Sequence, residues 1–242
     1  EFAYGAGHEI NNPLANISAR AQTLLKDEHD PERRQKLAAI NTQAFRAHEM
    51  IADLMLFAQP PEWKPDRVAI GPLVAELELG WRRQAAEQQT VLNVRVADES
   101  LAAWADRGAL AVALRALLAN ALEALGRGGT IELAVTPARL ANEAATESTA
   151  ADGNSAGVCA TIAPPPDAVA ICVRDDGPGI DPAVRPRIFD PFFSGREAGR
   201  GLGFGLPKCW RIARALGGRI DVASGPAAGT TFTLVLPLAE RR

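Results

Sequence analysis

The sequence predicts an α+β protein: an N-terminal helical hairpin followed by an α/β domain. Three observations predict it. Apolar residues recur at alternating steps of three and four through residues 10–58, three prolines break the chain between 60 and 65, and strand-like and helix-like stretches alternate beyond them. Steps of three and four place side chains on one face of a helix, whereas strands alternate with period two. Apolar residues form 47% of the 242-residue chain, enough to fill a real core in one or two domains.

The first helix is expected over 2 to about 26, with Ile10, Leu14, Ile17, Ala21 and Leu24 in heptad spacing. Pro13 lies inside it and removes the N–H that would bond the Glu9 carbonyl, so a bend or loosened turn is expected just after His8. Residues 27–30 form a turn. Asp30 caps a second helix, with Pro31 in the first helical position and Glu32 favourable to the dipole. That helix is expected to run to about Ala58 through Leu37, Ile40, Ala44, Ala47, Ile51 and Leu54. A lone hairpin leaves much of its apolar stripe wet. Pairing of residues 2–58 with a second copy into a four-helix bundle is the expected remedy, and packing on the rest of the same chain is the alternative.

Pro60, Pro61 and Pro65 make a semi-rigid linker. The expected division is therefore a helical hairpin over 1–60 and a second domain over 61–242. In the second domain a helix is expected over 70 to about 88 and a strand over 91–96, with Trp104 in a second short strand. Asp106 should cap a long helix that Gly126, Gly128 and Gly129 stop after Leu125. Arg115, Asn120 and Glu123 interrupt its apolar run, which reads as a core helix rather than a membrane span. A buried, unpartnered Asn120 amide would cost about 1–3 kcal/mol, so a partner is expected for it. Strands should follow over 130–136 and 168–173, a helix over 207–216, and a β-hairpin over 219–224 and 230–236. Between the strands, 137–167 reads as a flexible insertion with at most one short strand near 158–162; passive and functional roles are both open to it.

The chemistry-bearing stretch is Gly7-His8-Glu9-Ile10-Asn11-Asn12-Pro13. His8 and Asn12 share a helix face, and Glu9 is the nearest base to the imidazole, the arrangement of an activated nucleophile. These seven residues alone also fit an ordinary solvent-facing histidine. Further on, Asp175 follows a strand and could accept a hydrogen bond from an exocyclic amine. Gly177 and Gly179 allow close backbone approach. Glycines at 199, 201, 203 and 205 precede a helix whose N-terminal amides can cradle phosphates. Asn120 offers a neutral oxygen suited to Mg²⁺. Each cluster alone also fits a simple turn or helix entry. Their order and joint presence point to a nucleotide.

Taken together these residues resemble the catalytic core of a bacterial two-component sensor histidine kinase over essentially the whole chain. His8 to Leu14 is similar to that family's H box, Leu117 to Ala124 to the N box, and Asp175 to Ile180 to the G1 box. Ile188 to Phe193 is similar to the F box, and Gly199 to Leu206 to the G2 box. The resemblance implies a gyrase/MutL-like ATP-binding domain, an α/β sandwich whose mixed sheet is covered by helices on one face. It implies that His8 accepts a phosphoryl group from ATP, that Glu9 orients and deprotonates it, and that Asn12 positions a water for dephosphorylating a partner. It further implies that Asn120 binds Mg²⁺ and that Asp175, supported by Thr230, reads adenine. Gly177, Gly179, Arg196, Gly201, Gly203 and Gly205 would line the nucleotide, and 181 to about 200 would form a mobile lid. Ala116, Glu123, Arg196 and Arg200 depart from residues common in the family, and bear on ATP affinity and rate.

The partners so implied are a response-regulator receiver domain and a second copy of the chain. A net charge of −3 argues against a nucleic-acid partner. Three scattered cysteines suit a reducing, cytoplasmic location. No signal peptide is visible. The chain opens almost on the His8 motif, so it is expected to be a fragment without membrane contact of its own. Any sensor or anchor would precede it. Two other readings remain open: a degenerate nucleotide-binding scaffold without turnover, and a related ATPase or serine kinase sharing the second domain alone.

Overall fold

The computed structural model describes residues 2–58, 62–140, 166–193, 203–225 and 228–239, with backbone alone for 2–9, 49, 53, 54 and 56–58. It contains two compact units, Glu1–Trp63 with Ile188–Lys208 and Lys64–Arg187 with Cys209–Arg242.

In the first unit, α1 (Phe2–Asp27) and α2 (Pro31–Ala58) form a hairpin across the expected turn. Asp30 Oδ1 accepts from the amides of Glu32 at 2.8 Å and Arg33 at 3.0 Å, which is the expected cap. The end of α1 is closed from the other side. The Arg34 guanidinium donates to the carbonyls of Leu25 at 3.0 Å and Glu28 at 2.7 Å. The loosened turn expected after His8 does not interrupt α1, which is α-helical straight through an exposed Pro13. An interior proline costs about 3 kcal/mol through the lost bond and crowding of the Glu9 carbonyl, and the rest of the 26-residue helix carries the chain through it. The helices meet through small residues, Ala21 and Ala44, while Ile17, Leu24, Ile40 and Phe45 of the same chain are 45–59% exposed.

In the second unit, β1 (Asp66–Ala69) pairs antiparallel with β3 (Ala102–Ala105) in a two-stranded sheet. The sequence pattern did not flag β1, because four residues reading Asp-Arg-Val-Ala carry no alternation to speak of. The main sheet has the order β2 (Val91–Val96), β4 (Thr130–Ala138), β5 (Ala168–Asp175), β7 (Gly229–Pro237), β6 (Arg219–Gly225). β2 and β4 run parallel and the other pairs antiparallel, so the sheet is mixed as expected. β4 and β5 are each two residues longer than the sequence pattern indicated. The extension of β4 shortens the segment between them by two residues, to 139–167, and most of it, including the strand expected near 158–162, lies outside the described residues.

Alternation along these strands defines the core. Ile131, Leu133 and Val135 on β4, Val169, Ile171 and Val173 on β5, and Phe232, Leu234 and Leu236 on β7 are all buried on one face. Helices α3 (Ile70–Glu87) and α4 (Arg107–Leu125) cover that face, with Leu110, Leu114, Leu117 and Leu118 of α4 fully buried. α4 is the one described helix long and apolar enough to cross a membrane. Here its apolar side chains fill the core instead. α5 (Gly205–Ala215) starts two residues before the expected position, and the Cys209 thiol donates to the Ala113 carbonyl of α4 at 3.3 Å.

Asp106 fixes the start of α4. Its Oδ1 accepts from the Ala109 amide at 2.9 Å and its Oδ2 from the Lys64 amide at 3.1 Å, so one carboxylate caps a helix and pins the strand entry at 64. The Ala109 bond, above all, holds this carboxyl below the ordinary carboxylate range, against a smaller desolvation effect. A lowered folded pKa contributes stability above the unfolded value, near 4, and loses it as pH falls through the folded value. Asp106→Ala is expected to destabilise the protein by about 0.5–2 kcal/mol at neutral pH. In urea melts, the gap to the unmodified chain should close progressively below about pH 4; a gap that widens in acid would refute this assignment.

Candidate functional site

The alternation that builds the core also builds the site. Asp175 is the last residue of β5, on the same face as Val169, Ile171 and Val173; it lies within the strand rather than just after it. Thr230 continues the row of Leu236, Leu234 and Phe232 on β7 and stands directly opposite Asp175. The two are 1% and 5% exposed, two of the three buried polar side chains among the described residues. A carboxylate and a hydroxyl thus cap the hydrophobic layer at one end of the sheet, on the side the helices cover.

The loop after β5 is shaped around that carboxylate. Asp175 Oδ1 accepts from the Gly177 amide at 3.0 Å. A Cβ on Gly177 would stand 2.8 Å from the same oxygen, so a side chain here would push the Asp175 carboxylate out of its present position. At the next glycine, Gly179, φ is +80° and a Cβ would strike the Gly225 carbonyl. Asp176 faces the other way: its Oδ1 accepts from the Thr130 amide at 2.7 Å and its own amide donates to the Thr130 carbonyl at 3.2 Å. The loop is therefore tied to the start of β4 on one side. On the other it is tied to β6, where the Ile180 amide donates to Ser224 Oγ at 2.8 Å.

Asn120 lies on α4, half-buried rather than buried, so its amide can reach solvent and needs no protein partner. Its placement is informative all the same. Ala124, one turn later on the same helix face, would be 3.7 Å from a Cβ on Gly177. Asn120 therefore sits about 6 Å back along the face that meets the Gly177 turn. Oxygen donors on that face suit a hard cation. No cluster of three or more His, Cys, Asp or Glu that could hold a metal occurs among the described residues. A magnesium ion here would rely on Asn120 together with ligand oxygens, and the donor type fits.

The remaining expected site residues divide as follows. Gly203 has φ +68° and backs onto the Phe193 carbonyl, so its lack of a side chain is a local packing need. Phe192 and Phe204 meet edge to face there, ring centroids 4.7 Å apart. Gly205 opens α5, and a Cβ there would enter open space. Arg196 and Gly201 lie outside the described residues. His8 and Glu9 occupy successive positions of α1, described in backbone alone, and Asn12 is exposed one turn after His8. Of the expected lid, 181–193 is described; Arg185 at its start donates to the Val222 carbonyl of β6 at 2.8 Å. Asp176 and Ser224 were not among the expected site residues. The paired acids of Asp175-Asp176 hinted at the first. The second emerges only from strand register, which places Ser224 opposite Thr230.

Fold and site define a mixed-sheet α/β domain with a buried carboxylate–hydroxyl pair at the sheet end, in a chain that also carries a helical hairpin. Residues 105–240 match the family model of the histidine kinase-, DNA gyrase B-, and HSP90-like ATPases, and residues 1–62 match that of the His Kinase A (phospho-acceptor) domain. The chain belongs to that ATPase family and carries the catalytic core of a two-component sensor histidine kinase. It is 31% identical over 239 residues to the signal transduction histidine-protein kinase AtoS of Escherichia coli (strain K12), covering 98% of this chain and 34% of AtoS. The crystal structure of full-length ShkA in complex with AMPPNP superimposes with a TM-score of 0.76 at 23% identity, covering all of this chain and 46% of that one. Histidine kinase ThkA in complex with the response regulator protein TrrA gives 0.63 at 20% identity, covering 99% and 61%. The chain spans between 23% and 46% of the length of the curated relatives it matches.

The two kinds of glycine separate experimentally. Gly229, at φ +77° with its missing Cβ directed at the Asp175 carbonyl, is required by the fold, whereas Gly205 is not. Gly229→Ala should lower unfolding free energy by more than about 1 kcal/mol and Gly205→Ala should leave it within about 0.5 kcal/mol. Thermal melts of the two variants side by side check this.

Proposed function

We propose that this chain is an ATP-dependent protein-histidine kinase that phosphorylates His8 and passes the phosphoryl group to an aspartate on a response-regulator receiver domain. The observation that carries the reading is the union in one chain of a phospho-acceptor domain match over 1–62 and an ATPase domain match over 105–240, with His8 in the first. The functional division is 1–60 for dimerisation and phosphotransfer, and 61–242 for ATP binding.

Each step assigns a role to residues of this chain. Asp175 accepts from the adenine amine and Thr230 supports it, while Gly177 and Gly179 let the base approach backbone. Gly201, Gly203, Gly205 and Arg196 contact the phosphates, with the lid over 181–200. Asn120 would hold Mg²⁺, and the ion would neutralise phosphate charge. His8 Nε2 attacks the γ-phosphorus; an N–P bond forms, the bond to the bridging oxygen breaks, and ADP leaves. Glu9 takes the proton from the other ring nitrogen. Asn12 would position a water that hydrolyses the partner's aspartyl phosphate, releasing inorganic phosphate. Catalysis here is mainly positioning and charge neutralisation.

The exposed large apolar side chains of the hairpin support a homodimer through residues 2–58. Ile10, Ile17, Leu24, Ile40, Phe45 and Met50 are 38–59% exposed, and a four-helix bundle would bury them. AMPPNP bound to ShkA and TrrA bound to ThkA support ATP and a response regulator as ligand and partner. The location we propose is cytoplasmic. A second reading, a nucleotide-binding scaffold without turnover, is allowed by Ala116 and Arg200 standing where the family commonly has Asn and Thr.

Incubation with γ-labelled ATP and Mg²⁺ decides between them. The kinase reading predicts acid-labile, base-stable label on the chain, abolished in His8→Gln. ATP binding with no label over a range of Mg²⁺ concentrations would instead establish the scaffold.

A further inference from the structure

Asp175, Thr230 and Ser224 stand in one row across β5, β7 and β6 at the end of the sheet. Ser224 Oγ has three polar neighbours. The Ile180 amide lies at 2.8 Å, the Gly229 carbonyl at 3.0 Å and Thr230 Oγ1 at 3.1 Å. A serine hydroxyl has one proton and two lone pairs. The Ile180 amide donates, so it uses one lone pair. The Gly229 carbonyl can only accept, so it takes the Ser224 proton. The remaining lone pair is satisfied in one way, by donation from the Thr230 hydroxyl. All three contacts coexist with a single proton arrangement, in which the Thr230 proton is committed to Ser224.

Thr230 can then only accept from a ligand. The neighbouring Asp175 carboxylate also only accepts. Two acceptors side by side favour a group bearing two N–H donors and repel a carbonyl oxygen. Without the Ser224 hydroxyl, the Thr230 proton is released and can donate to such an oxygen. We infer that Ser224 is a specificity-determining positioning residue: by holding the Thr230 proton it biases the site toward purines carrying a 6-amino group over those carrying a 6-oxo group. This rests on the reading of adenine by Asp175 and Thr230 proposed above.

ADP and IDP differ at that purine position and undergo no phosphoryl transfer, so they isolate base selection. Calorimetric titration of the 242-residue chain with each should show a preference for ADP. Ser224→Ala should shrink the ADP/IDP affinity ratio by about fivefold or more, the worth of roughly one hydrogen bond. Ser224→Thr, which keeps the hydroxyl, should restore it. In a Thr230→Val background, Ser224→Ala should leave the ratio where Thr230→Val set it, since the proton it controls is gone. A purely structural role would weaken both nucleotides alike. An unchanged ratio in Ser224→Ala, with the unmodified chain still preferring ADP, overturns the inference and leaves the adenine reading standing. Equal or absent binding of ADP and IDP by the unmodified chain overturns both.

Discussion

A carboxylate on the buried face of a β-strand is the constraint around which the second unit is arranged. Burying a charge is costly unless hydrogen bonds surround it. Asp175 sits at the end of an apolar row, and the chain answers with the Gly177 amide and a loop that folds back on itself. That loop in turn dictates glycine at 179 and 229, where φ is positive and carbonyls crowd the missing Cβ, while a side chain at 177 would displace the carboxylate. Asp176 and Ser224 clamp the loop from either side. The outcome is a preorganised acceptor at the sheet end, built before any ligand arrives.

The first unit follows a different logic. Its helices bury Ala21 and Ala44, join through a Ser18–Asn41 hydrogen bond, and leave isoleucine, leucine and phenylalanine in solvent, the reverse of a self-sufficient core. Asp30 and Arg34 fix the turn firmly, so the hairpin is well defined at its closed end while its apolar side remains open to another helix pair. Stability in such a hairpin is inseparable from the concentration of whatever covers it.

Much of this was legible in the sequence because it rests on local rules. Heptad steps gave both long helices; Asp30 and Asp106 announced their caps; Gly126 ended α4 where expected. Asp175 and Thr230 were identifiable through motif resemblance, and alternation along the strands explains why they face the same way. What escaped depended on non-local pairing. β1 is defined by its register with β3 rather than by its own four residues. Ser224 looked like the end of an ordinary hairpin strand until pairing set it beside Thr230. Asn120 appeared mid-helix and apolar-flanked, hence buried, but the helix turns that edge toward the Gly177 loop and partly into solvent. Helix periodicity alone does not say where a helix leaves its sheet.

The account turns on whether the end of the sheet at Asp175 receives the nucleotide base. The most direct measurement is ATP affinity by calorimetry for the unmodified chain and for Asp175→Asn, which keeps the side-chain volume and an oxygen able to accept from the Gly177 amide. The account predicts affinity weaker by about tenfold or more, the worth of a charge-assisted hydrogen bond, with an unchanged melting profile. Undiminished ATP binding in Asp175→Asn would contradict it.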